Sequence, residues 1–146
     1  MKAITLLLGG IMLLFASCIK ETDGTVPEVS GCTDVHAINY KPGATKDDGT
    51  CHYSNVTFYG SYGFYNGIPI SSVSISANGS PIGALGVVYP GGPGNCSAPG
   101  TVSYTCQNGN RVDWNAAIQL ANGAVLYSSG SFTPYNVDCI KVNVTR

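Results

Sequence analysis

The sequence predicts an all-β protein: a single seven-stranded antiparallel β-sandwich, Ig-like or prealbumin-like, behind a tether and a small disulfide-closed loop. Three observations predict it. From residue 54 onward apolar and polar residues alternate in short runs, which is the period of a half-buried strand. Asn-Gly pairs at 78–79 and 122–123 stand between such runs, and both residue types accept the positive φ of a tight turn. Gly, Ser, Asn, Thr, Val and Tyr dominate the composition while helix formers are scarce.

Residues 1–17 have the layout of a secretory signal. Lys2 supplies the positive start. An apolar run from Ile4 to Leu14 follows, broken only by Thr5 and two glycines, and small Ala16-Ser17 close it. The run is too short to span a bilayer, and no other stretch is long and apolar enough. Cys18 comes directly afterwards. Leu14-Phe15-Ala16-Ser17-Cys18 resembles the lipobox of bacterial lipoproteins. The resemblance implies cleavage before Cys18, with lipid on its sulfur and its new amine. An ordinary secreted protein with an incidental Cys18 is the plainer reading. Each buried lipid methylene contributes about 0.8 kcal/mol, so several chains hold firmly where one holds weakly. The expected partner of this end is therefore the membrane.

Residues 18–30 carry no periodicity and read as a tether, able to reach ~40 Å at about 3.3 Å per residue. Lys20-Glu21-Thr22-Asp23 is similar to the charged stretch after the lipid cysteine in surface-exported lipoproteins of Bacteroidota. That similarity implies the outer membrane, on the cell surface.

Residues 31–53 begin Gly31-Cys32-Thr33-Asp34 and end Asp47-Asp48-Gly49-Thr50-Cys51-His52-Tyr53. With Ala37, Asn39, Tyr40, Pro42, Ala44 and Thr45 they resemble a motif of Bacteroidota cell-surface proteins, GCTDxxAxNYxPxATxDDGSCxY. Thr50 replaces its usual serine. The motif covers about a sixth of the chain and implies a bacterial surface protein more than any activity. Its Cys32 and Cys51 flank a compact loop and are expected to pair, contributing about 3 kcal/mol in the chain-entropy picture. Asp47 and Asp48 beside Gly49, with Asp34 and Asn39 as partners, form an oxygen-rich set of the kind that binds calcium, though without EF-hand spacing. The other reading is that these side chains cap backbone amides in turns.

Charge changes at this boundary. Nine Lys, Arg, Asp or Glu lie in residues 18–51, against Arg111, Asp113, Asp138, Lys141 and Arg146 beyond. Net charge is −1, so no basic face invites nucleic acid.

Residues 54–146 are expected to hold the sandwich. Val56 and Phe58 alternate with Asn55 and Thr57; Val73 and Ile75 alternate with Ser72, Ser74 and Ser76. Asn78-Gly79 turns into Ile82 to Val88, with Pro81 at its start where a missing donor costs little. Pro90 to Gly100 is an irregular loop. Thr101 to Cys106 follows, then Val112 to Leu120 with even positions apolar, which places Trp114 in the core. Asn122-Gly123 leads into Val125 to Phe132, and Asp138 to Val144 closes the set.

If Cys18 carries lipid, five cysteines remain and one is left unpaired. Cys96 with Cys139 is the expected bridge, leaving Cys106 as a core-facing thiol on the side of Val102 and Tyr104. Cys96 with Cys106, closer in sequence, is the competing pair. The layout also resembles a small β module of Bacteroidota surface proteins, in the order Asn78-Gly79, Cys96, Thr101-Val102, Trp114, Cys139. It departs from that module in carrying Cys106 and a longer Trp114-to-Cys139 segment. The resemblance supports the fold and the Cys96–Cys139 bridge and attaches no activity.

No catalytic constellation stands out. His36 and His52 lack zinc spacing. Pairing His52 with Asp47 or Asp48 as a base is a forced reading. Asp113 and Asp138 are the only acids of the sandwich a glycoside hydrolase could use, and both are expected to be solvated. A binding surface is better placed in Phe58 to Gly67, where Tyr59, Tyr62 and Tyr65 are the candidate ligand-binding rings. Against this, Phe58 and Phe64 could pack inward with the tyrosines sealing an edge. The function expected is a non-catalytic, lipid-anchored surface binding or adhesion module for a glycan or protein partner. The second reading is a structural subunit of an outer-membrane assembly.

Overall fold

The computed structural model describes residue 24 and residues 26–145, so Cys18 and the expected signal lie outside the described residues. Among the described residues eight strands form: β1 Ser54–Tyr59, β2 Phe64–Tyr65, β3 Ile68–Ala77, β4 Ser80–Ala84, β5 Val102–Cys106, β6 Val112–Leu120, β7 Val125–Phe132 and β8 Cys139–Asn143. They make two sheets, one ordered β5-β1-β8 and one ordered β2-β3-β6-β7, with β4 also paired to β3. The β-sandwich is as expected, but with one strand more than the alternation suggests. The extra strand is β2, folded onto β3 by Asn66-Gly67 at φ 48° and 79°. Asn78-Gly79 joins β3 to β4 with the same two values. Both are two-residue hairpins whose positive φ suits Asn and Gly.

The sheets are not wholly antiparallel. β1 and β8 run parallel, from Asn55 opposite Cys139 to Tyr59 opposite Asn143. A parallel pair needs a long crossover. Here the rest of the sandwich is that crossover, so no local turn signal reports it. β4 is also shorter than the expected Ile82–Val88. After Ala84 the chain leaves β3 and crosses to the smaller sheet, where Val88 bridges Gly60 and Tyr89 donates its N–H to the Gly60 carbonyl.

The core lies between the sheets. Val56 and Phe58 meet Val73, Ile75, Trp114, Ala116 and Ile118, with Val144 behind them. The Phe58 and Trp114 rings are tilted at 56° with centroids 5.9 Å apart. Fully burying a side chain like Phe58 contributes roughly 1.5–3 kcal/mol. In β6 each even residue is buried, as its alternation requires. β3 changes parity midway: Ile68 and Ile70 face inward, then Val73, Ile75 and Ala77. A bulge between Ile70 and Ser72 inserts the extra residue that allows this.

The loop from residue 90 to 100 covers the outer face of the smaller sheet. Cys96 is bonded to Cys139 on β8, Lys141 Nζ donates to the Gly94 carbonyl, and Ser103 Oγ donates to the Cys96 carbonyl. Thr57 is consequently buried on a face where alternation alone places it in water. The competing Cys96–Cys106 bridge does not form. Cys106 is a free thiol in the core, and burial pushes its pKa up, so it stays protonated.

Candidate functional site

The segment following β1 is held from the far end of the chain. The Thr145 hydroxyl accepts from the N–H groups of Ser61 (2.8 Å) and Tyr62 (3.2 Å). Asn143 Nδ2 donates to Ser61 Oγ at 2.6 Å, and Thr145 N–H donates back to Asn143 Oδ1. Gly60 permits this approach, since a Cβ there would come within 3.1 Å of the Thr145 side chain. The backbone then bends so that Ile70 donates to the Gly63 carbonyl, and the Asn66-Gly67 hairpin follows.

This anchoring turns the aromatic residues outward. Tyr62, Phe64 and Tyr65 are 60%, 64% and 48% exposed. The inward packing of Phe64 weighed from the sequence therefore does not occur. Phe58 packs inward, while Phe64 falls on the short β2 ribbon and stays exposed. Tyr127 of β7, 73% exposed, joins Tyr62, Phe64 and Tyr65 around a groove of about 370 Å³. Its apolar lining is Ile70, Ile118 and Leu126. Asn66, Ser128 and Thr145 supply polar atoms, and among the described residues no Lys, Arg, Asp, Glu or His lines it.

Tyr59 does not belong to this group. It is half-buried in a separate groove between β7 and β8, with Trp114, Lys141 and Asn143. Alternation along β1 explains the separation, because Tyr59 is the neighbour of inward Phe58. Trp114 is buried in the core, as its strand predicts. Another groove, about 350 Å³, lies on the other side of the Tyr62 ridge, between Ser71–Val73 and Leu85–Val88. Among the described residues Tyr62 is its only aromatic wall, so it offers one stacking face where the first groove offers four.

The cystine motif is closed by Cys32–Cys51 and is tied to the sandwich by Asn108 N–H on the His36 carbonyl. Its oxygens serve its own turns. Asp34 accepts from the Tyr53 hydroxyl (2.6 Å) and from His36 N–H (2.8 Å). Asp47 accepts from Gly49 N–H, and Asp48 from both the N–H and hydroxyl of Thr50. Asn39 spans the loop, donating to the Thr50 carbonyl and accepting from His52 N–H. Tyr53, and then His36 N–H, hold the Asp34 pKa below the usual carboxylate range; the Thr50 hydroxyl does the same for Asp48. Among the described residues no three His, Cys, Asp or Glu side chains gather as a metal site. The oxygens of Asp34, Asn39, Asp47 and Asp48, the set weighed for calcium, all serve as turn caps within the motif.

His52 stands beside Asp138, at 3.3 Å, rather than pairing with Asp47 or Asp48. Asp113 is exposed and paired with Arg111 at 2.8 Å. Asp113 on β6 and Asp138 before β8 belong to different sheets, and both are solvated.

Two residues of the groove, Tyr127 and Thr145, escape a reading of the sequence. Exposed Tyr127 alternates with half-buried Leu126 and Ser128, which marks an outward ring but not its neighbours. Nothing near Thr145 in the sequence signals that it holds residues 61 and 62. Comparison with known proteins returned no matching family model, no matching curated protein and no matching solved structure.

Proposed function

We propose that this chain is a non-catalytic binding module, held on the cell envelope by lipid at Cys18, whose groove takes a neutral glycan. One observation carries the reading: four exposed aromatic rings surround a groove with no charged side chain among the described residues. An exposed ring on a rigid scaffold stacks on the apolar face of a sugar, and its amphipathic character suits a surface that is dry on one side and wet on the other. Asn66 adds an amide donor and acceptor, and Ser128 a hydroxyl, for sugar hydroxyls. Among the described residues a charged ligand finds no counter-ion there. The same groove suits a protein segment rich in neutral polar and aromatic residues, and such binding is the outcome that would displace a glycan.

The test is binding of the chain to an array of neutral polysaccharides, with Tyr62→Ala, Phe64→Ala and Tyr127→Ala compared with Tyr59→Ala. Stacking contributes about 0.5–1.5 kcal/mol per ring. Each of the first three is expected to weaken binding about three- to tenfold, and Tyr59→Ala to leave it unchanged. Equal losses at all four positions, or none, remove the groove from consideration. Attachment is tested separately, by metabolic labelling with a fatty acid. Label is expected on the chain and lost in Cys18→Ser; an unlabelled wild-type chain ends the lipid reading.

A further inference from the structure

β7 forms the outer edge of the larger sheet, and half of its backbone has no partner among the described residues. Leu120 N–H donates to the Ala124 carbonyl at 2.8 Å, and the register then runs unbroken from Gln119 opposite Val125 to Val112 opposite Phe132. Antiparallel geometry alternates the direction of backbone groups. Leu126, Ser128, Gly130 and Phe132 therefore bond to β6, while Val125, Tyr127, Ser129 and Ser131 point their N–H and C=O groups off the sheet. Proteins ordinarily blunt such an edge with charge, proline, a bulge or brevity. β7 has none of these. It is eight residues long, its ladder has no bulge, and no charged residue occurs between Trp114 and Val137. The edge of β8 is five residues long, carries Lys141 and is stapled at Cys139.

We propose that a second copy of this chain pairs antiparallel with β7 about a two-fold axis at Ser128, joining two larger sheets into one. The occupant is argued from self-complementarity. Centring the axis on Ser128 uses all four outward residues, pairing Tyr127 with Ser129 of the second copy and Val125 with its Ser131. On the inner face it sets Leu126 against Gly130 of the second copy, and Ser128 against its own equivalent. Every bulky side chain thus meets a small one, and neither strand brings a charge to repel the other. Four hydrogen-bonded pairs exchange about eight backbone bonds. Shifting the register by one pair in either direction leaves an outward residue without a partner; one of these shifts also stacks Tyr127 on itself. The pairing does not depend on what the aromatic groove binds, and its readout is mass rather than ligand binding.

Ser128 is a non-hydrogen-bonded position of this pairing, where facing Cα atoms lie about 4.5 Å apart, within disulfide reach. The experiment uses the full chain extracted in mild detergent, carrying Ser128→Cys or Ser131→Cys, oxidised and run without reductant. Ser128→Cys is expected to give a reductant-sensitive species of twice the chain mass, about tenfold more than Ser131→Cys, whose two copies lie too far apart to bridge. The second measurement is solution mass. Wild type is expected as a dimer, and the double variant Ser129→Lys, Ser131→Lys as a monomer with an unchanged far-ultraviolet circular dichroism spectrum. A monomeric wild type at its highest soluble concentration overturns the proposal. So do equal cross-linking at 128 and 131, or an adduct of a different mass, which would assign the edge to a foreign strand.

Discussion

The cystine motif and the sandwich are held together in opposite ways. In the motif, Asp34, Asp47 and Asp48 each bond a backbone N–H two residues ahead, and one bridge closes the whole loop. Of its side chains only Cys32 and Ala37 are deeply buried among hydrophobic residues. In the sandwich the decisive contacts join residues far apart, Phe58 to Trp114 and Ser61 to Thr145. The first region is stabilised by local caps and a cross-link, the second by burial. Charge follows the same division, since the motif caps its turns with three carboxylates and a two-sheet core excludes them.

The largest expected effect comes from attacking the core. Phe58→Ala removes a fully buried ring between the sheets and is expected to cost about 3–5 kcal/mol, read by chemical denaturation. The Cys32–Cys51 bridge should survive it, as shown by thiol titration. A cost under about 1 kcal/mol would mean that the ring is not packed as described. The next effect is that of the bridge. Replacing Cys32 and Cys51 together by serine is expected to cost about 3 kcal/mol. The loss should be confined to the motif, with faster amide exchange from residue 31 to 53 and an unchanged sandwich melt. A sandwich melt lowered as far as by Phe58→Ala would show that the two regions fold as one.

The smallest effect is that of pH. Asp34 and Asp48 have lowered folded pKa values, so their stabilisation is present above the ordinary carboxylate value of 3.8 and is lost as pH falls through the folded values. Tyr53 is raised by its bond to Asp34; its contribution is present below the ordinary value of 10.0 and is lost as pH rises through the folded value. Amide exchange at His36 and Thr50, corrected for intrinsic rate, should therefore accelerate in strong acid, and at His36 in strong alkali also. The sandwich amides of β6 should show neither change. Equal acid sensitivity in both regions would break the division.

Much of the sandwich is legible because its signals are local. Val112 to Leu120 shows its buried face by alternation alone, and Asn78-Gly79 announces its turn. Asn66-Gly67 carries the same signal, but it is hidden inside an aromatic cluster that reads as a binding loop. Ile82 to Val88 misleads, because apolar periodicity records burial without recording that the chain changes sheets after Ala84. The candidate groove was half visible. Tyr62 and Tyr65 belong to it, Tyr59 does not, and Phe64 and Tyr127 complete it.

The sequence by itself determined the class of fold, the buried face of β6, the pairing of Cys32 with Cys51 and the polar character of the surface. These follow from residue-by-residue preferences and short spacings. Only the tertiary structure decided that β1 and β8 lie parallel, that Thr57 is covered by a loop, that Thr145 sets the aromatic ridge and that β7 is the outer strand of its sheet. Each of these depends on which distant segments become neighbours. Neighbourhood is decided by the collapse of the whole core, and a pattern of period two carries no record of it.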